Sequence, residues 1–341
     1  MFDSHLALIV LVILLALTFD FINGFHDTAN AIATSISTKA LRPRTAIVLA
    51  SVMNFIGAMT FTGVAKTIGG KIADPLSLSN GMVVVLAALI AASIWNLFTW
   101  YYGLPSSSSH ALIGSLTGAV ITSAGFSAVN FHGFISILEA LILSPLLAVV
   151  AGFTIMTLIK VIFHYSVPHR INRRFRILQV FTAAFQAFSH GTNDAQKTMG
   201  IITFALVAGG FQNSLHIPVW VKLSAALAMA LGTSVGGWRI IKTVGTRIIK
   251  LDPGSGFSAD LSSALVILGA TFLKLPVSTT HVISSSVIGV GTARRFSTVK
   301  WGTAQKIVTA WLVTLPVTAL LAGLSYGVCA GIGRLAAAVL L

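Results

Sequence analysis

Two polar motifs each occur twice in this chain, in the same order, and each copy lies within long apolar sequence. Residues 23–30 read Asn-Gly-Phe-His-Asp-Thr-Ala-Asn, and residues 190–197 read His-Gly-Thr-Asn-Asp-Ala-Gln-Lys. Residues 104–110 read Leu-Pro-Ser-Ser-Ser-Ser-His, and residues 275–281 read Leu-Pro-Val-Ser-Thr-Thr-His. Polar motifs duplicated inside apolar sequence are typical of transporters built from internal repeats.

The chain has too few charged residues to cover a soluble domain. Only 9% of its residues are charged, whereas a soluble globular domain has about 25%. Apolar runs such as 6–19, 82–95 and 135–159 recur along the whole length, and about 20 apolar residues cross a bilayer as a helix. The sequence therefore predicts an all-α polytopic integral membrane protein of the cell membrane, with about 10–12 membrane segments.

The basic residues lie in short loops between apolar runs. The net charge is +14, but this distribution is the one that the positive-inside rule describes, so it does not indicate nucleic-acid binding. The N-terminus carries Asp3 and His5 in place of the basic residues of a signal peptide, so we expect it to form the first span. Cys329 is the only cysteine, which excludes an intrachain disulfide.

The loop charges predict that the two halves of the chain have opposite orientations in the membrane. We place a first repeat at 1–165, a basic cytoplasmic linker at 166–177 and a second repeat at 178–341. The turn at 39–44 carries three basic residues, whereas its counterpart at 208–218 carries none. The remaining matched loops show the same reciprocal bias. Copies with the same orientation would share one bias, so the pattern indicates inverted repeats with both termini extracellular.

Each half then needs an odd number of crossings. We expect the first helix to be broken near Asn23–Asp27, and we expect paired re-entrant hairpins with their tips at 104–110 and 274–281. Counting the hairpin arms separately, together with helices broken at Pro145 or Pro316, brings the total to about twelve segments.

Asp27 and Asp194 are the strongest candidates for a coupling-cation site. A carboxylate at membrane depth costs at least about 2.5 kcal/mol, so it needs a partner or a function. Both aspartates lie beside asparagine and glycine, and carboxylate and amide oxygens are ligands for hard cations. The candidate cation ligands, for Na⁺ or for a proton, are Asp27, Asp194, Asn193 and Asn23. A buried structural hydrogen-bond network is the alternative, and no other metal site or cofactor is expected.

The two hydroxyl clusters are candidates for binding a tetrahedral oxyanion. Backbone N–H groups and hydroxyls at a helix start form an anion site that the helix dipole favours. Ordinary helix capping is the alternative, and Lys197 could pair with Asp194 instead of facing an anion. The candidate anion ligands are Ser106, Ser107, Ser108, Ser109, Ser278, Thr279, Thr280, Asn30, Gln196 and Lys197.

A histidine ends each hydroxyl cluster. His110 and His281 could respond to protons, because histidine titrates near physiological pH. The alternative is that they pack and donate hydrogen bonds without any link to transport.

The four motifs, in this order and over nearly the whole chain, closely resemble the inorganic phosphate transporter (PiT) family. The resemblance implies a secondary transporter for inorganic phosphate with inverted repeats, and often a homodimer. It also implies that Asp27, Asn30, Asn193, Asp194 and the hydroxyl clusters line the phosphate and cation sites. This chain has Asn54 where sodium-coupled animal members have glutamate, and His26 where many members have asparagine. Short bacterial members are commonly considered proton-coupled, some of them carrying a metal–phosphate complex.

The leading hypothesis is phosphate import by H⁺ or Na⁺ symport with alternating access. A permease for another tetrahedral oxyanion, such as sulfate, is the close alternative, and a passive anion channel is a third. From a different class, an intramembrane serine hydrolase would use Ser109 or a neighbour with His110 and Asp27. The adjacency of serine and histidine on one turn does not by itself set that geometry, and a hydrolase gives no reason for the duplication.

Overall fold

The protein is all-helical in the part that the structure, a computed structural model, describes: residues 4–78, 80–165 and 167–339. These residues form twelve α-helices and no β-strand. The helices are α1 (Ser4–Ser37), α2 (Pro43–Thr60), α3 (Gly63–Lys71), α4 (Gly81–Tyr102), α5 (Ser108–Ala124), α6 (Phe131–Ile162), α7 (Pro168–Ala208), α8 (Val219–Val235), α9 (Trp238–Lys242), α10 (Pro253–Phe272), α11 (Thr279–Arg294) and α12 (Trp301–Val339).

The predicted duplication is present in the fold: α1–α6 and α7–α12 repeat the same series of elements. The first helices of the two halves run antiparallel. The carbonyl of Asn30 lies 3.4 Å from Nε2 of Gln186, and Oγ1 of Thr38, farther along α1, donates to Oε1 of Gln179 at 2.6 Å. Residue numbers that increase along α1 therefore pair with residue numbers that decrease along α7. Equivalent helices with opposite directions are what inverted repeats require.

The helices have the length and surface of a multi-pass membrane protein. α1, α4, α6, α10 and α12 are each long and apolar enough to cross a bilayer, and up to seven spans result if each of two bent helix pairs counts as one. Large apolar side chains project outward on the long helices; Leu147 on α6 is 60% exposed and Leu320 on α12 is 71% exposed. Such a surface suits lipid rather than water.

The breaks in the helices are not where the sequence predicted them. α1 is continuous through Asn23–Asp27, and α6 and α12 are continuous through Pro145 and Pro316. The bends lie between α2 and α3, at 68°, and between α8 and α9, at 62°. At the second bend Gly236 has a φ of +79°, a conformation that glycine adopts without strain. Asp27, Asn30 and Thr34 of α1 instead have hydrogen-bond partners on neighbouring helices, so the backbone does not need to unwind there.

The predicted basic linker over 166–177 stays a prediction, but most of this segment is helical. The chain is helical from Pro168 onward, since proline is well suited to a first helical turn. Arg170, Arg173, Arg174 and Arg176 therefore lie on the first turns of α7 rather than on a separate loop. Ser166 lies outside the described residues.

Two glycines bring the halves into direct backbone contact at matching places. A Cβ atom on Gly24 of α1 would lie 2.5 Å from the carbonyl oxygen of Met229 on α8. A Cβ atom on Gly191 of α7 would lie 2.2 Å from the carbonyl oxygen of Asn54 on α2. Both glycines come three residues before the aspartate of their motif, so these close approaches fix the depth of the two carboxylates.

The last helix of each half packs on the hairpin of the other half. Gly118 of α5 lies against the backbone of Ala319 on α12, and Gly289 of α11 lies against the backbone of Val149 on α6. The two halves are thus interlocked rather than side by side, and each hairpin is supported by both.

Candidate functional site

The hydroxyl clusters lie at the starts of α5 and α11, which are the inner arms of the two predicted hairpins. Oγ of Ser107 accepts a hydrogen bond from the backbone N–H of His110 at 3.1 Å. Oγ of Ser278 accepts from the backbone N–H of His281 at 3.2 Å. These two serines are N-caps, so at these positions the capping alternative describes the contacts.

The two hairpin tips meet in the interior. Oγ of Ser109 donates to the carbonyl of Val277 at 2.8 Å, and the rings of His110 and His281 lie 4.5 Å apart between centroids. All of the clustered hydroxyl side chains are buried. Two helix N-termini, with their partial positive charges, therefore converge on one place.

Asp27 lies at this meeting point and has partners from both halves. One carboxylate oxygen accepts from Oγ of Ser108 at 3.0 Å. The other accepts from Oγ1 of Thr280 at 3.0 Å and lies 2.8 Å from Nδ1 of His26. Asp27 is 1% exposed. The acid of the first motif is thus held by a hydroxyl from each hairpin tip.

Asp194 has a comparable set of partners, but with a charged one added. One carboxylate oxygen accepts from Oγ1 of Thr279 at 2.9 Å and lies 3.1 Å from Nε2 of His190. The other forms an ion pair with the ammonium of Lys197. All of these groups are fully or almost fully buried. The ion-pair alternative for Lys197 is the one that the structure contains.

The two aspartate sites are therefore alike but not identical. Ser108 and Thr279 occupy equivalent positions in the hairpins and each donates to the aspartate of its own half. Asn30 stands where the second motif has Lys197, and its Nδ2 donates to Oγ1 of Thr280 at 2.8 Å. The first half offers an amide where the second offers a cation, so the site cannot be symmetric in charge.

Asp27, His190 and Asp194 together form a potential cation site. One ligand atom from each residue lies within 4.8 Å of the others, and all three side chains are buried. Carboxylate oxygens suit hard cations such as Na⁺, and a neutral imidazole suits transition metals, so this set does not select one ion by itself. The predicted Na⁺ ligands Asp27 and Asp194 are brought together, and His190 joins them.

Asn193 and His26 occupy the same position in the two motifs, and each forms hydrogen bonds with the hairpin of its own half. Nδ2 of Asn193 donates to Oγ1 of Thr271 at 3.1 Å, and its Oδ1 accepts from the backbone N–H of Val277 at 3.2 Å. Nε2 of His26 lies 3.1 Å from Oγ1 of Thr99. The side chain of Asn193, which we predicted to be a cation ligand, is thus already occupied in holding the second hairpin.

Gln196 and Ser106 also make contacts away from the aspartates. Oε1 of Gln196 accepts from the backbone N–H groups of Val64 and Ala65, at the start of α3. Oγ of Ser106 donates to Oγ1 of Thr99 at 2.8 Å. That Gln196 and Ser106 contact an anion stays a prediction. The hydrogen bonds seen here do not favour it, because they already occupy both side chains.

The remaining candidates are buried but have few polar partners. Asn23 is fully buried, and neither its amide nitrogen nor its oxygen has a hydrogen-bond partner. Nδ1 of His110 bonds to Oγ of Ser107 at 2.9 Å, and His281 stacks on Trp311 with 3.9 Å between ring centroids. A proton-linked role for the two histidines stays a prediction.

Sequence reasoning missed the link from Asn54 to the site. Oδ1 of Asn54 lies 3.1 Å from Nδ1 of His190, and Nδ2 of Asn54 donates to Oγ1 of Thr233 at 3.0 Å. His190 thus connects Asn54 to Asp194. The only signal in the sequence was the family comparison, in which other members have an acid at this position.

The contacts do not assemble the predicted triad, in which Ser109 or a neighbour would act with His110 and Asp27. His110 bonds to Ser107, whereas the hydroxyl of Ser109 donates to a carbonyl. The carboxylate of Asp27 contacts His26 rather than His110. Among the described residues, Ser106, His26 and Asp27 come closer to a Ser-His-Asp arrangement. Oγ of Ser106 lies 3.5 Å from Nε2 of His26, however, and donates to Oγ1 of Thr99 at 2.8 Å.

Comparisons with known proteins agree with this geometry. The model of the phosphate transporter family matches residues 23–322. The chain is 60% identical to a probable low-affinity inorganic phosphate transporter of Bacillus subtilis (strain 168), over 95% of this chain and 98% of that protein. It is 45% identical to one of Rhizobium meliloti (strain 1021), again over 95% of this chain and 98% of that protein.

A solved structure also matches over nearly the whole chain. It is described as the sodium-dependent phosphate transporter, with a TM-score of 0.88 and 26% identity, and the match covers 94% of this chain and 98% of that one. These relatives are named as transporters rather than as enzymes. The family predicted from the four motifs is therefore confirmed: this chain is a multi-pass membrane protein that belongs to the inorganic phosphate transporter family.

Proposed function

We propose that this protein imports inorganic phosphate across the cell membrane by symport with a cation, through alternating access. Family membership and the names of the relatives support phosphate as the transported solute. The geometry supports a site at the meeting point of the two hairpin tips, where helix N-termini, hydroxyls and two carboxylates lie together.

The observation that carries the proposal is that the hydroxyls suited to phosphate are bonded to the carboxylates. Ser108 and Thr280 donate to Asp27, and Thr279 donates to Asp194. Each hydroxyl has one proton to donate. A cation at the carboxylates would satisfy their charge and release these donors for phosphate. Cation binding and phosphate binding would then favour each other, which is what symport requires.

Several features suit a phosphate held at this place. The first backbone N–H groups of α5 and α11 and their dipoles favour an anion. Asn30, from the first half, adds an amide donor, and Lys197, from the second half, adds a positive charge. Lys197 would exchange its ion pair with Asp194 for a contact with phosphate once a cation binds the carboxylate. Bilayer depth makes each of these polar contacts stronger than it would be in water.

The coupling ion is H⁺ or Na⁺ in this proposal. The sodium-dependent phosphate transporter that shares the fold supports Na⁺, whereas Asn54 in place of an acid supports H⁺. A divalent metal carried together with phosphate would also satisfy the two carboxylates, with His190 as a third ligand.

Labelled-phosphate uptake into proteoliposomes tests the proposal. We expect uptake above the equilibrium level when a pH or sodium gradient is imposed in the inward direction, and no accumulation without one. Uptake that only follows the phosphate gradient would indicate a channel and would overturn symport. Dependence on one gradient and not on the other identifies the ion.

Competition separates phosphate from sulfate, the other tetrahedral oxyanion. We expect excess sulfate to leave phosphate uptake unchanged, because carboxylate and hydroxyl oxygens of the site can accept the proton that phosphate retains at neutral pH and sulfate lacks. Displacement of phosphate by sulfate at equal concentration would count against phosphate as the substrate.

The proposal includes extracellular termini and a homodimer in the membrane. The basic start of α7 supports a cytoplasmic location for that end of the helix. Chemical cross-linking in native membranes tests the dimer, and a species that runs only as a single chain would count against it.

A further inference from the structure

Asp20 is a second buried carboxylate of α1 that the proposed phosphate site does not use. Its side chain is fully buried, and neither of its oxygens has a hydrogen-bond partner. The polar groups that interact with it are the hydroxyl of Thr198, the carboxylate of Asp194 and the ammonium of Lys197, all on α7. An unpaired buried carboxylate is costly, so Asp20 needs a ligand to compensate it.

Other unpartnered polar groups lie on the faces of α1 and α4 near Asp20. Asn23 follows Asp20 by three residues, which places both on one face of α1. Asn96 and Ser93 share a face of α4 in the same way. All of their side-chain oxygens and amide nitrogens are buried without hydrogen-bond partners.

The two faces lie at the same level. One turn beyond Asn23 and Asn96, His26 on α1 contacts Thr99 on α4 at 3.1 Å. The equivalent helices α7 and α10 run parallel, since Gln179 contacts Asp260 and, farther along both helices, Asn193 contacts Thr271. α1 and α4 are the equivalents of α7 and α10, so they also run parallel. Counting back one turn from the contact between His26 and Thr99 places Asn23 level with Asn96, and one turn more places Asp20 level with Ser93.

The charges of the interior also call for one more cation than the described site accepts. Four aspartates among the described residues are buried, and Lys197 is the one buried lysine there. One of the four, Asp260, is bonded to Thr34 and Gln179. With neutral histidines and with Asp20, Asp27 and Asp194 ionised, two negative charges are in excess before an anionic substrate binds. A single cation at Asp27, His190 and Asp194 compensates one of them.

We propose that Asp20, Asn23, Ser93 and Asn96 form a second cation site, next to the site at Asp27 and Asp194, and that it binds Na⁺. Carboxylate, amide and hydroxyl oxygens are the ligands of a hard metal ion. A proton would need only Asp20 and would leave the amide oxygens without partners. The involvement of this ion in coupling depends on the proposed phosphate symport, whereas its binding does not.

Binding of radioactive ²²Na⁺ to the purified full-length protein in lipid nanodiscs, without phosphate, tests the site. We expect Asp20→Asn to bind one Na⁺ per chain fewer than the wild type. Where the wild type binds two, Asp27→Asn should also lose one, because it affects the other site; where the wild type binds one, Asp27→Asn should keep it. Asp74→Asn removes an exposed carboxylate and should leave the number unchanged. Asn96→Leu, which keeps every carboxylate, should weaken binding at one site and leave the other unchanged.

The outcomes distinguish this inference from the phosphate proposal. A wild type that binds no Na⁺ overturns the second site, whatever phosphate uptake shows. So does an Asp20→Asn protein that is monodisperse and binds as many Na⁺ as the wild type. An unchanged Na⁺ number with a shifted pH dependence of uptake would assign Asp20 to a proton instead. Two bound Na⁺ with no phosphate uptake would keep the site and overturn the transport proposal.

Discussion

Thr280, at the tip of the second hairpin, donates its hydroxyl to the carboxylate of Asp27 in the first half, 253 residues earlier in the chain, at 3.0 Å. The converse contact, from Ser109 to Asp194, is replaced by a hydrogen bond from Ser109 to the carbonyl of Val277. A single side-chain hydroxyl thus links the acid of one half to the hairpin of the other. Whatever binds at Asp27 must change this link.

Neutralising either motif aspartate should abolish phosphate uptake. In Asp27→Asn and Asp194→Asn the side chain keeps its size but loses the charge that binds the cation. We expect uptake to fall by about 100-fold or more, as for a buried group bonded to several donors. The fall is measured as the initial rate of phosphate uptake into proteoliposomes, normalised to the amount of inserted protein. Asp74→Asn is the control, and full uptake by both mutants would defeat the roles assigned to the two acids.

Removing the hydroxyl of Thr280 should weaken phosphate binding more than it affects protein insertion. Thr280→Val keeps the shape and deletes one donor to a charged group, for which the cost is about 1.5–3 kcal/mol. We expect the KM for phosphate to rise by about tenfold or more, because each 1.4 kcal/mol is a factor of ten. Thr280→Ser keeps the donor and should retain uptake. Equal KM values for the valine and serine variants would contradict the assignment.

Adding a methyl group at the helix crossings should destabilise the protein. A Cβ on Gly24 or Gly191 would meet a backbone carbonyl at 2.5 or 2.2 Å, and backbone cannot rotate away. We expect Gly24→Ala and Gly191→Ala each to cost about 1–3 kcal/mol, the usual range for overpacking. Gly327→Ala on α12 has no atom within 4 Å of its new methyl and serves as the control. Thermal unfolding in detergent, followed by tryptophan fluorescence, should give lower unfolding temperatures for Gly24→Ala and Gly191→Ala than for Gly327→Ala.

The inverted orientation can be tested with single cysteines. Replacing Cys329, the one native cysteine, by serine gives a background without thiols. Arg42→Cys and Ser214→Cys then place one thiol each in exposed, equivalent turns of the two halves. A membrane-impermeant maleimide should label them from opposite faces of oriented vesicles. Labelling from the same face would overturn the inverted repeat.

The ion pair of Lys197 predicts a rescue. Lys197→Met leaves Asp194 buried without its cation, and breaking a buried pair from one side costs about 3–5 kcal/mol. Replacing Asp194 by asparagine as well removes the unpaired charge. We expect the double variant to unfold at a higher temperature than Lys197→Met alone. An equal or lower unfolding temperature would show that the pair does not determine stability.

The sequence was sufficient to predict the features that depend on pattern. Helical spans, duplicated halves and two hairpins follow from the long apolar runs and from the recurrence of the motifs. The convergence of Asp27 and Asp194 also followed, because inverted copies place equivalent residues at the same membrane depth. Their hydroxyl partners did not follow: Ser108, Thr279 and Thr280 were expected to face an anion, and they donate to the two aspartates.

The contacts that depend on how helices pack could not be predicted. Gln196 bonds to the backbone at the start of α3, and Asn54 reaches His190, because α2, α3 and α7 cross closely there. No local pattern encodes such a crossing. The expected break in α1 failed for the same reason. Glycine and asparagine permit a helix to unwind, but the neighbours that pack on Gly24 decide whether it does.

The exchange of α6 and α12 between the halves bears on how such a protein could arise. Gly118 on α5 packs against α12 of the other half, and Gly289 on α11 packs against α6 of the other half. A half-length ancestor would have left its hairpin bare as a single molecule. Two identical copies, inserted in opposite senses, would have supplied each other with the missing helix. Gene fusion would then have tied together a pre-existing antiparallel pair and freed each copy to diverge, as Asn30 and Lys197 have done.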